Sequence, residues 1–258
     1  MNPLLKKLVA ATRPHRCNIC QSRVRRFLPL DPSYLDLAKI HGSIFDLGAA
    51  ETLNYRAYAC PHCGANDRDR LFGLYIQHLQ AAGIHLADLS LVEFAPANQF
   101  RLSICHLFRE YRTCDLLRTD VDDPGVDIMA MDRYPDGRWD AFICSHVMEH
   151  VPDDRRALAE LYRVLKPGGW GILMVPINLN LAKIDEDPAV TDIGERWRRF
   201  GQGDHVRAYS KSGFLERVRA AGFVVRQYGA AYFGKFVFWR CGINPSSILY
   251  VVEKPSAA

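Results

Sequence analysis

Four cysteines near the start of the sequence fall into two tight pairs. Cys17 and Cys20 form the pair CNIC, and Cys60 and Cys63 form the pair CPHC. A Cys-x2-Cys turn directs two sulfurs toward one point, so two such turns can supply the four thiolates of a closed, tetrahedral zinc site. The pairs therefore predict a structural zinc ion. His62 could replace one cysteine, and free or redox-active thiols are the alternative.

A second set of polar residues follows short apolar runs along the chain. Glu93 lies in LVEF, Asp115 ends YRTCD, Asp127 lies in GVDIM, and Ser145 and His146 follow AFIC. If these runs are parallel strands, their carboxyl ends meet at one edge of the sheet, where open α/β sheets bind ligands. The spacing therefore predicts one crevice, formed by residues 93–98, 115–117, 127–129 and 144–147.

Apolar runs that alternate with amphipathic segments predict the elements that position these residues. This alternation is typical of a doubly wound α/β fold with a parallel sheet. The predicted strands cover residues 89–95, 111–116, 125–131, 139–145 and 170–177, with two or three closing strands within 224–232, 235–239 and 246–254. The predicted helices cover residues 67–83, 97–108, 153–169 and 210–223, and Ser210 is the expected cap of the last one.

The length and composition set the number of domains. With 258 residues, of which 48% are hydrophobic, the chain can form one large domain with an appendage. We expect a zinc-ribbon-like segment over residues 1–66 and the α/β domain over 67–258. Residues 178 to about 208 read as an irregular insertion in that domain.

The charge and the apolar runs limit the partners. A net charge of +4 is mildly basic and does not by itself require a nucleic-acid partner. The absence of an 18-residue apolar run predicts no membrane span. Residues 1–16 lack the long apolar core of a secretory signal, which predicts a cytoplasmic protein.

Two longer segments carry a family resemblance. WDAFICSHVMEHVPDDRRALAELYRVLKPGGWGILMVPI (139–177) resembles the strand-four, helix and strand-five block of class I S-adenosylmethionine-dependent methyltransferases. DHVRAYSKSGFLERVRAAGF (204–223) resembles their downstream His-x-Arg segment and the helix after it. Together with the cysteine pairs, these segments make the chain similar to a bacterial group with an N-terminal four-cysteine zinc-ribbon-like segment. The resemblance implies a Rossmann-like, mostly parallel seven-stranded sheet and S-adenosylmethionine as the cofactor.

In this family the first strand ends in an acidic residue and a glycine-rich turn. Glu93 takes the acidic position here, and Ala95, Pro96 and Ala97 stand where glycines are expected. S-adenosylmethionine has no phosphate, so a glycine-rich phosphate cradle is not required. The two alanines are small enough for close approach, and the proline fixes a bend. The alternative is that this turn is only the end of a strand.

The resemblance also assigns the ribose and adenine contacts. Asp115, followed by Leu116, is implied to accept hydrogen bonds from both ribose hydroxyls, since a carboxylate offers two acceptor oxygens. The alternative is that Asp115 only caps the next turn. Asp127 and the backbone N–H of Ile128 are implied to contact the adenine, with Asp132 as the rival to Asp127.

The remaining candidates concern the methyl transfer itself. Ser145 and His146 are implied to face the methionine part of the cofactor. Methyl transfer is an in-line displacement, and a hydroxyl acceptor must also lose a proton. His205 is the first candidate for the base and His146 the second, although His205 could instead be a loop-packing residue. His150 is interpreted as a structural imidazole that anchors its loop.

The acceptor is predicted only by class. ERWRRFGQ in the insertion mixes arginine with aromatic surface, which suits stacking on a sugar or a base; a lid helix with inward aromatics is the alternative. We predict O-methylation of a small molecule or glycan. The alternatives are a non-catalytic binding protein and an RNA methyltransferase. RNA would be held by the arginines around the first cysteine pair, which are Arg16, Arg23, Arg25 and Arg26.

Overall fold

The expected seven-stranded sheet is present in a computed structural model of the protein, which describes residues 14–44 and 46–256. Most of the segment 1–16 therefore lies outside the described residues. The strands are β1 (His15–Arg16), β2 (Arg23–Val24), β3 (Ser90–Phe94), β4 (Glu110–Asp115), β5 (Asp123–Pro124), β6 (Trp139–Ser145), β7 (Leu165–Met174), β8 (Asp185–Glu186), β9 (Arg207–Ala208), β10 (Val224–Tyr228) and β11 (Leu249–Glu253).

Eight α-helices are found within the described residues. They are α1 (Pro32–Ile40), α2 (Asp67–Ala81), α3 (Asn98–Ile104), α4 (Asp154–Val164), α5 (Ile193–Phe200), α6 (Lys211–Ala220), α7 (Ala230–Phe233) and α8 (Lys235–Cys241). Ser210 caps α6 as predicted, because its side chain accepts a hydrogen bond from the N–H of Gly213. None of the helices in this part of the chain is long and apolar enough to cross a membrane.

The main sheet has the order β10-β11-β7-β6-β3-β4-β5. Strands β3 to β7 pair in parallel, whereas β11 runs antiparallel to both β7 and β10. The chain moves outward from β3 to β5 and then crosses to β6 on the other side of β3. This reversal is the topological switch point at which such sheets bind ligands. The predicted fold class is confirmed.

The register brings the predicted crevice residues to one edge. Phe94 of β3 lies level with Cys114 of β4 and with Cys144 of β6. The next residues, Ala95 and Asp115, therefore leave the sheet beside Ser145. The central strands are buried on both faces, as their continuous apolar runs require.

The predicted helix over residues 153–169 ends earlier, at Val164. Strand β7 begins at Leu165 and includes Pro167, Gly168 and Gly169, which the prediction placed at the end of the helix. The β6–β7 register shifts between Trp139 and Ala141, which is a bulge. A side chain at Gly169 would lie 2.8 Å from the carbonyl oxygen of Asp140, so the close approach of the two strands requires glycine here.

Two predicted strands are wrong. Residues 235–239 (KFVFW) belong to α8, which ends at Gly242 in the left-handed region at φ 66°. Residues 125–131 form turns, and the third strand is the short β5 just before them. Both segments are too short for the apolar pattern to separate helix, strand and loop.

The predicted irregular insertion contains regular structure. Helix α5 lies in it, and β8 pairs with β9 as a small antiparallel ribbon. The ion pairs between Arg199 and Asp185 and between Arg207 and Glu186 join parts of this region. The insertion is therefore an ordered substructure.

The N-terminal segment has its own small core, formed by Cys17, Val24, Phe27, Cys60 and Ala65. Arg70 of α2 attaches this core to the rest of the protein. Its fully buried guanidinium donates to the carbonyl oxygens of Ala65 at 2.7 Å and Cys241 at 2.6 Å, and it stacks on Phe27 at 4.0 Å. A buried cation that satisfies several carbonyls is costly to remove, so it holds the segment in place.

Candidate functional site

The four predicted cysteine ligands converge. The sulfurs of Cys17 and Cys63 are 3.8 Å apart, as are those of Cys20 and Cys60, and all four lie within 4.8 Å of one another. A tetrahedral ion with zinc–sulfur bonds of about 2.3 Å places neighbouring sulfurs about 3.8 Å apart. The cluster is therefore compatible with zinc. His62 is not part of it.

The backbone is strained at the ends of β3 and β6. Ala95 has φ 49° and His146 has φ 57°, so both non-glycine residues adopt the left-handed conformation. The N–H of Ala95 donates to Cys114 and that of His146 to Met174, and these bonds hold the two turns. Ala95 thus adopts the backbone conformation that glycine favours, which explains how the turn forms without glycine. Strain of this kind is typical of functional sites.

A cavity of about 350 Å³ opens at this edge of the sheet. Six of the predicted cofactor-binding residues line it: Ala95, Asp115, Leu116, Asp127, Ile128 and His146. The rest of the lining is mainly apolar and includes Val126, Met129 and Val151. An apolar cavity with a few carboxylates suits a flat ring joined to a polyhydroxylated group. We refer to it as the rim cavity.

Asp115 and Asp127 both organise turns within the rim cavity. Asp115 Oδ1 accepts hydrogen bonds from the N–H groups of Leu117 and Arg118, at 2.8 and 2.9 Å. Its Oδ2 makes no hydrogen bond to any described residue, so the turn-capping role leaves one oxygen for a ligand. Asp127 Oδ1 accepts from the N–H of Met129 at 2.8 Å.

The rival residue Asp132 is exposed and lies outside this lining.

The other predicted cofactor residues stand behind the lining. Glu93 is 3% exposed and accepts a 2.6 Å hydrogen bond from the hydroxyl of Tyr111. Burial raises the pKa of Glu93 to about 7. The carbonyl of Pro96 accepts from Arg118 at 2.8 Å, and Ser145 ends β6. These residues support the turns that form the cavity.

A second cavity, of about 290 Å³, lies on the other side of His146 and His150, which line both. One wall comes from the chain between the cysteine pairs and includes Tyr34, Thr52 and Tyr58. Another comes from the insertion at residues 200–202 and His205. We refer to this space as the inner cavity. No sequence pattern predicts that the N-terminal segment forms one of its walls.

A cluster of ionisable residues separates the two cavities. Glu149 is fully buried, and His146 Nδ1 lies 3.2 Å and His150 Nε2 4.0 Å from its Oε1. His205 completes the cluster, with its ring centroid 4.8 Å from that of His150. We refer to Glu149, His150 and His205 as the Glu–His cluster. Sequence reasoning assigned no role to Glu149, although its position between His146 and His150 was a signal.

The histidines are positioned by different partners. Nδ1 of His205 contacts the carbonyl oxygen of Phe200 at 3.0 Å, and Nδ1 of His150 lies 3.3 Å from a carboxylate oxygen of Asp204. Burial lowers the pKa of His205, and burial together with the nearby Arg68 lowers the pKa of His146. Burial therefore favours the neutral form of both rings.

Several residues that could have bound an acceptor are structural. Arg207 is 4% exposed and donates to the carbonyls of Met148 at 2.7 Å and Pro152 at 2.8 Å, which orders the loop after β6. The Tyr209 hydroxyl donates to Asp154. In α5, Trp197 packs on Tyr34. The insertion thus has its aromatics turned inward, which was the alternative interpretation.

Comparisons with known proteins agree with this architecture. A family model described as a methyltransferase domain matches residues 17–228. The ubiquinone biosynthesis O-methyltransferase of Thiobacillus denitrificans is 26% identical over 98 residues, and this match spans 38% of each chain.

Similar solved structures include two methyltransferases. A S-adenosylmethionine-dependent methyltransferase from Mesorhizobium loti is 14% identical, with a TM-score of 0.45 over 69% of this chain and 97% of that one. One from Archaeoglobus fulgidus is 12% identical, with a TM-score of 0.44 over 74% and 95%. At these scores, neither structure indicates what this chain acts on. The family model covers most of the chain, and on that ground the chain belongs to the methyltransferase-domain family.

Proposed function

We propose that the protein transfers a methyl group from S-adenosylmethionine in the rim cavity to a hydroxyl of a small molecule or glycan in the inner cavity. The observation that carries this proposal is that the two cavities meet at His146 and His150. When bound, S-adenosylmethionine supplies a methyl carbon on a sulfonium, which is a good leaving group. The protein's part is to align the acceptor and take its proton.

The rim cavity supports the cofactor assignment. Oδ2 of Asp115 accepts hydrogen bonds from the ribose hydroxyls. Asp127 and the N–H of Ile128 contact the adenine. The left-handed turn at Ala95 leaves only a methyl group facing the ligand. Leu116 and the other apolar residues cover the ring.

The histidines at the boundary support proton removal. His205 is our first candidate for the base and His146 the second, because both rings line the inner cavity. A neutral imidazole beside a hydroxyl accepts a proton without first losing one. Transfer to oxygen is also the activity for which the Thiobacillus relative is named.

The inner cavity favours an acceptor with a ring. Tyr34, Tyr58 and Phe200 supply aromatic surface to its lining. Arg68 also lines it, and its guanidinium makes no ion pair with a residue in the described part of the chain. An acceptor that carries an acidic group would pair with this arginine.

The four cysteines are proposed to bind a structural zinc ion. Four thiolates leave no open coordination position, so this ion stabilises the fold and takes no part in the reaction. It would hold residues 1–66 as a zinc-ribbon-like segment against the catalytic domain of residues 67–258, with its insertion at about 178–208. Because residues of this segment line the inner cavity, the zinc ion would affect acceptor binding indirectly.

Calorimetric titration and turnover test the proposal together. We expect S-adenosylmethionine to bind the parent protein, and an acceptor pool incubated with both to contain a product heavier by one methyl substitution. Mass spectrometry across hydroxylated small molecules and glycans would identify the acceptor. Absence of cofactor binding by the parent protein would contradict the proposal.

An RNA acceptor is the second candidate. Arg16, Arg23, Arg25 and Arg26 are all exposed around the first cysteine pair. Clustered arginines of this kind can contact phosphates, and such binding weakens steeply as salt rises. Salt-dependent binding of RNA, lost when these arginines become alanines, would favour this candidate over a small molecule.

A further inference from the structure

We propose that Glu149, His150 and His205 hold a second metal ion, a divalent transition-metal ion with Zn²⁺ as its probe, at the wall between the two cavities. The nitrogen and oxygen atoms that these residues offer lie within 4.8 Å of one another. Two imidazoles and one carboxylate are a ligand set that proteins use for zinc and other first-row ions.

The surroundings of Glu149 are the strongest argument for a metal ion in this cluster. Its side chain is fully buried. Nδ1 of His146 lies 3.2 Å from Oε1, but no partner is found for Oε2 among the described residues. Burying a carboxylate with so few partners is costly, so such groups are paired or bound to a metal. A cation between Glu149 and the two histidines would remove this cost.

The histidines are oriented as metal ligands are. Nδ1 of His205 faces a backbone carbonyl, so it carries the proton and leaves the lone pair on Nε2. His150 repeats the arrangement, with its Nδ1 against Asp204 and its Nε2 toward Glu149. Metal-bound histidines almost always donate their second nitrogen to a carboxylate or carbonyl in this way.

The site differs from the cysteine cluster in having three ligands. Three protein ligands leave a coordination position open, which is typical of catalytic rather than structural zinc. All three residues line the inner cavity, so the open position is accessible from the proposed acceptor side.

The role of this ion, though not the site, rests on the proposed methyl transfer. An acceptor hydroxyl at the open position would have its pKa lowered by the metal. Its proton would pass to His146, and its electron pair would form the oxygen–carbon bond as the sulfur–carbon bond of the cofactor breaks. His205 would in this case be a metal ligand and His146 the base.

Metal content and a cobalt spectrum test the site without an activity assay. We expect the full chain, saturated with Zn²⁺ and then desalted, to retain two ions. Glu149→Gln, His150→Ala and His205→Ala should each retain one, and His106→Ala, which changes an exposed histidine elsewhere, should retain two. With Co²⁺, the intense thiolate charge-transfer band should persist in every variant. The weaker bands of a nitrogen–oxygen site should disappear from the three variants of the Glu–His cluster and persist in His106→Ala.

The outcomes separate the site from its role. One ion in the wild type, or two in all variants, would overturn the proposal. If Glu149→Gln fails to fold, His150→Ala decides, because its ring is already 34% exposed and tolerates truncation. S-adenosylmethionine titrated into the same samples tests the proposed function separately. If the protein retains a second ion but does not bind S-adenosylmethionine, the metal site is supported and its proposed role in methyl transfer is not.

Discussion

The cysteine cluster and the Glu–His cluster both bring potential metal ligands together, but they differ in completeness. The cysteine cluster has four like ligands at the spacing of a filled tetrahedron. The Glu–His cluster has two imidazoles and one buried carboxylate, and it lies between two cavities. A closed set of ligands can only stabilise, whereas an open set can also bind a reactant.

The largest effect is expected from breaking the closed cluster. Cys60→Ser should lower the free energy of unfolding by several kcal/mol, because folding of the segment is coupled to metal binding. Turnover should also be lost, because residues between the two cysteine pairs line the inner cavity. Thermal unfolding and limited proteolysis would measure this, with Cys105→Ser as the control. A Cys60→Ser protein of unchanged stability would show that no metal holds the segment.

Changing the open cluster should separate chemistry from stability. His205→Ala should reduce kcat by about 100-fold or more, whether the ring is a base or a ligand, and leave cofactor affinity intact. The measurement is turnover beside calorimetric titration. His106→Ala, at an exposed position, should match the parent protein. Unchanged turnover would remove His205 from the mechanism.

A smaller effect on turnover is expected from a substitution in the rim cavity, where the cofactor is proposed to bind. Asp115→Ala should weaken S-adenosylmethionine binding roughly 10- to 100-fold, the amount that a hydrogen-bonding carboxylate contributes. Asp132→Ala is the matched control, because that residue is exposed outside the rim cavity. Equal affinities in the two variants would contradict the ribose assignment.

The smallest effect on turnover is expected from a substitution of Glu93. This residue should instead make the stability of the protein depend on pH. Burial raises its folded pKa to about 7 from an ordinary value of 4.5, so the folded protein keeps a proton that the unfolded chain releases. Stability should therefore fall as pH rises from about 4.5 to 7. Glu93→Gln should remove this loss, a gain of at most about 3 kcal/mol at pH 8.

Urea unfolding of both proteins at pH 4 and pH 8, without cofactor, would measure it. A difference between the two proteins that does not change with pH would show that Glu93 titrates normally.

Local patterns explain which predictions succeeded. Strand β6 has the predicted bounds, and Ser210 caps α6, because an apolar run and a cap act on neighbouring residues. The sheet class followed from the alternation of elements. The predictions at residues 125–131 and 235–239 were wrong because packing decides the state of such short segments.

The sequence by itself determined the fold class, the methyltransferase resemblance and the cysteine pairs, since each depends on spacing along the chain. Only the tertiary structure decided that Asp127 rather than Asp132 lines the rim cavity and that Ala95 takes a left-handed turn. It also decided that Glu149 is buried beside His146 and His150, with His205 brought in from the insertion. The physical reason is that burial and lost hydrogen bonds depend on contacts between residues far apart in sequence, which no local pattern specifies.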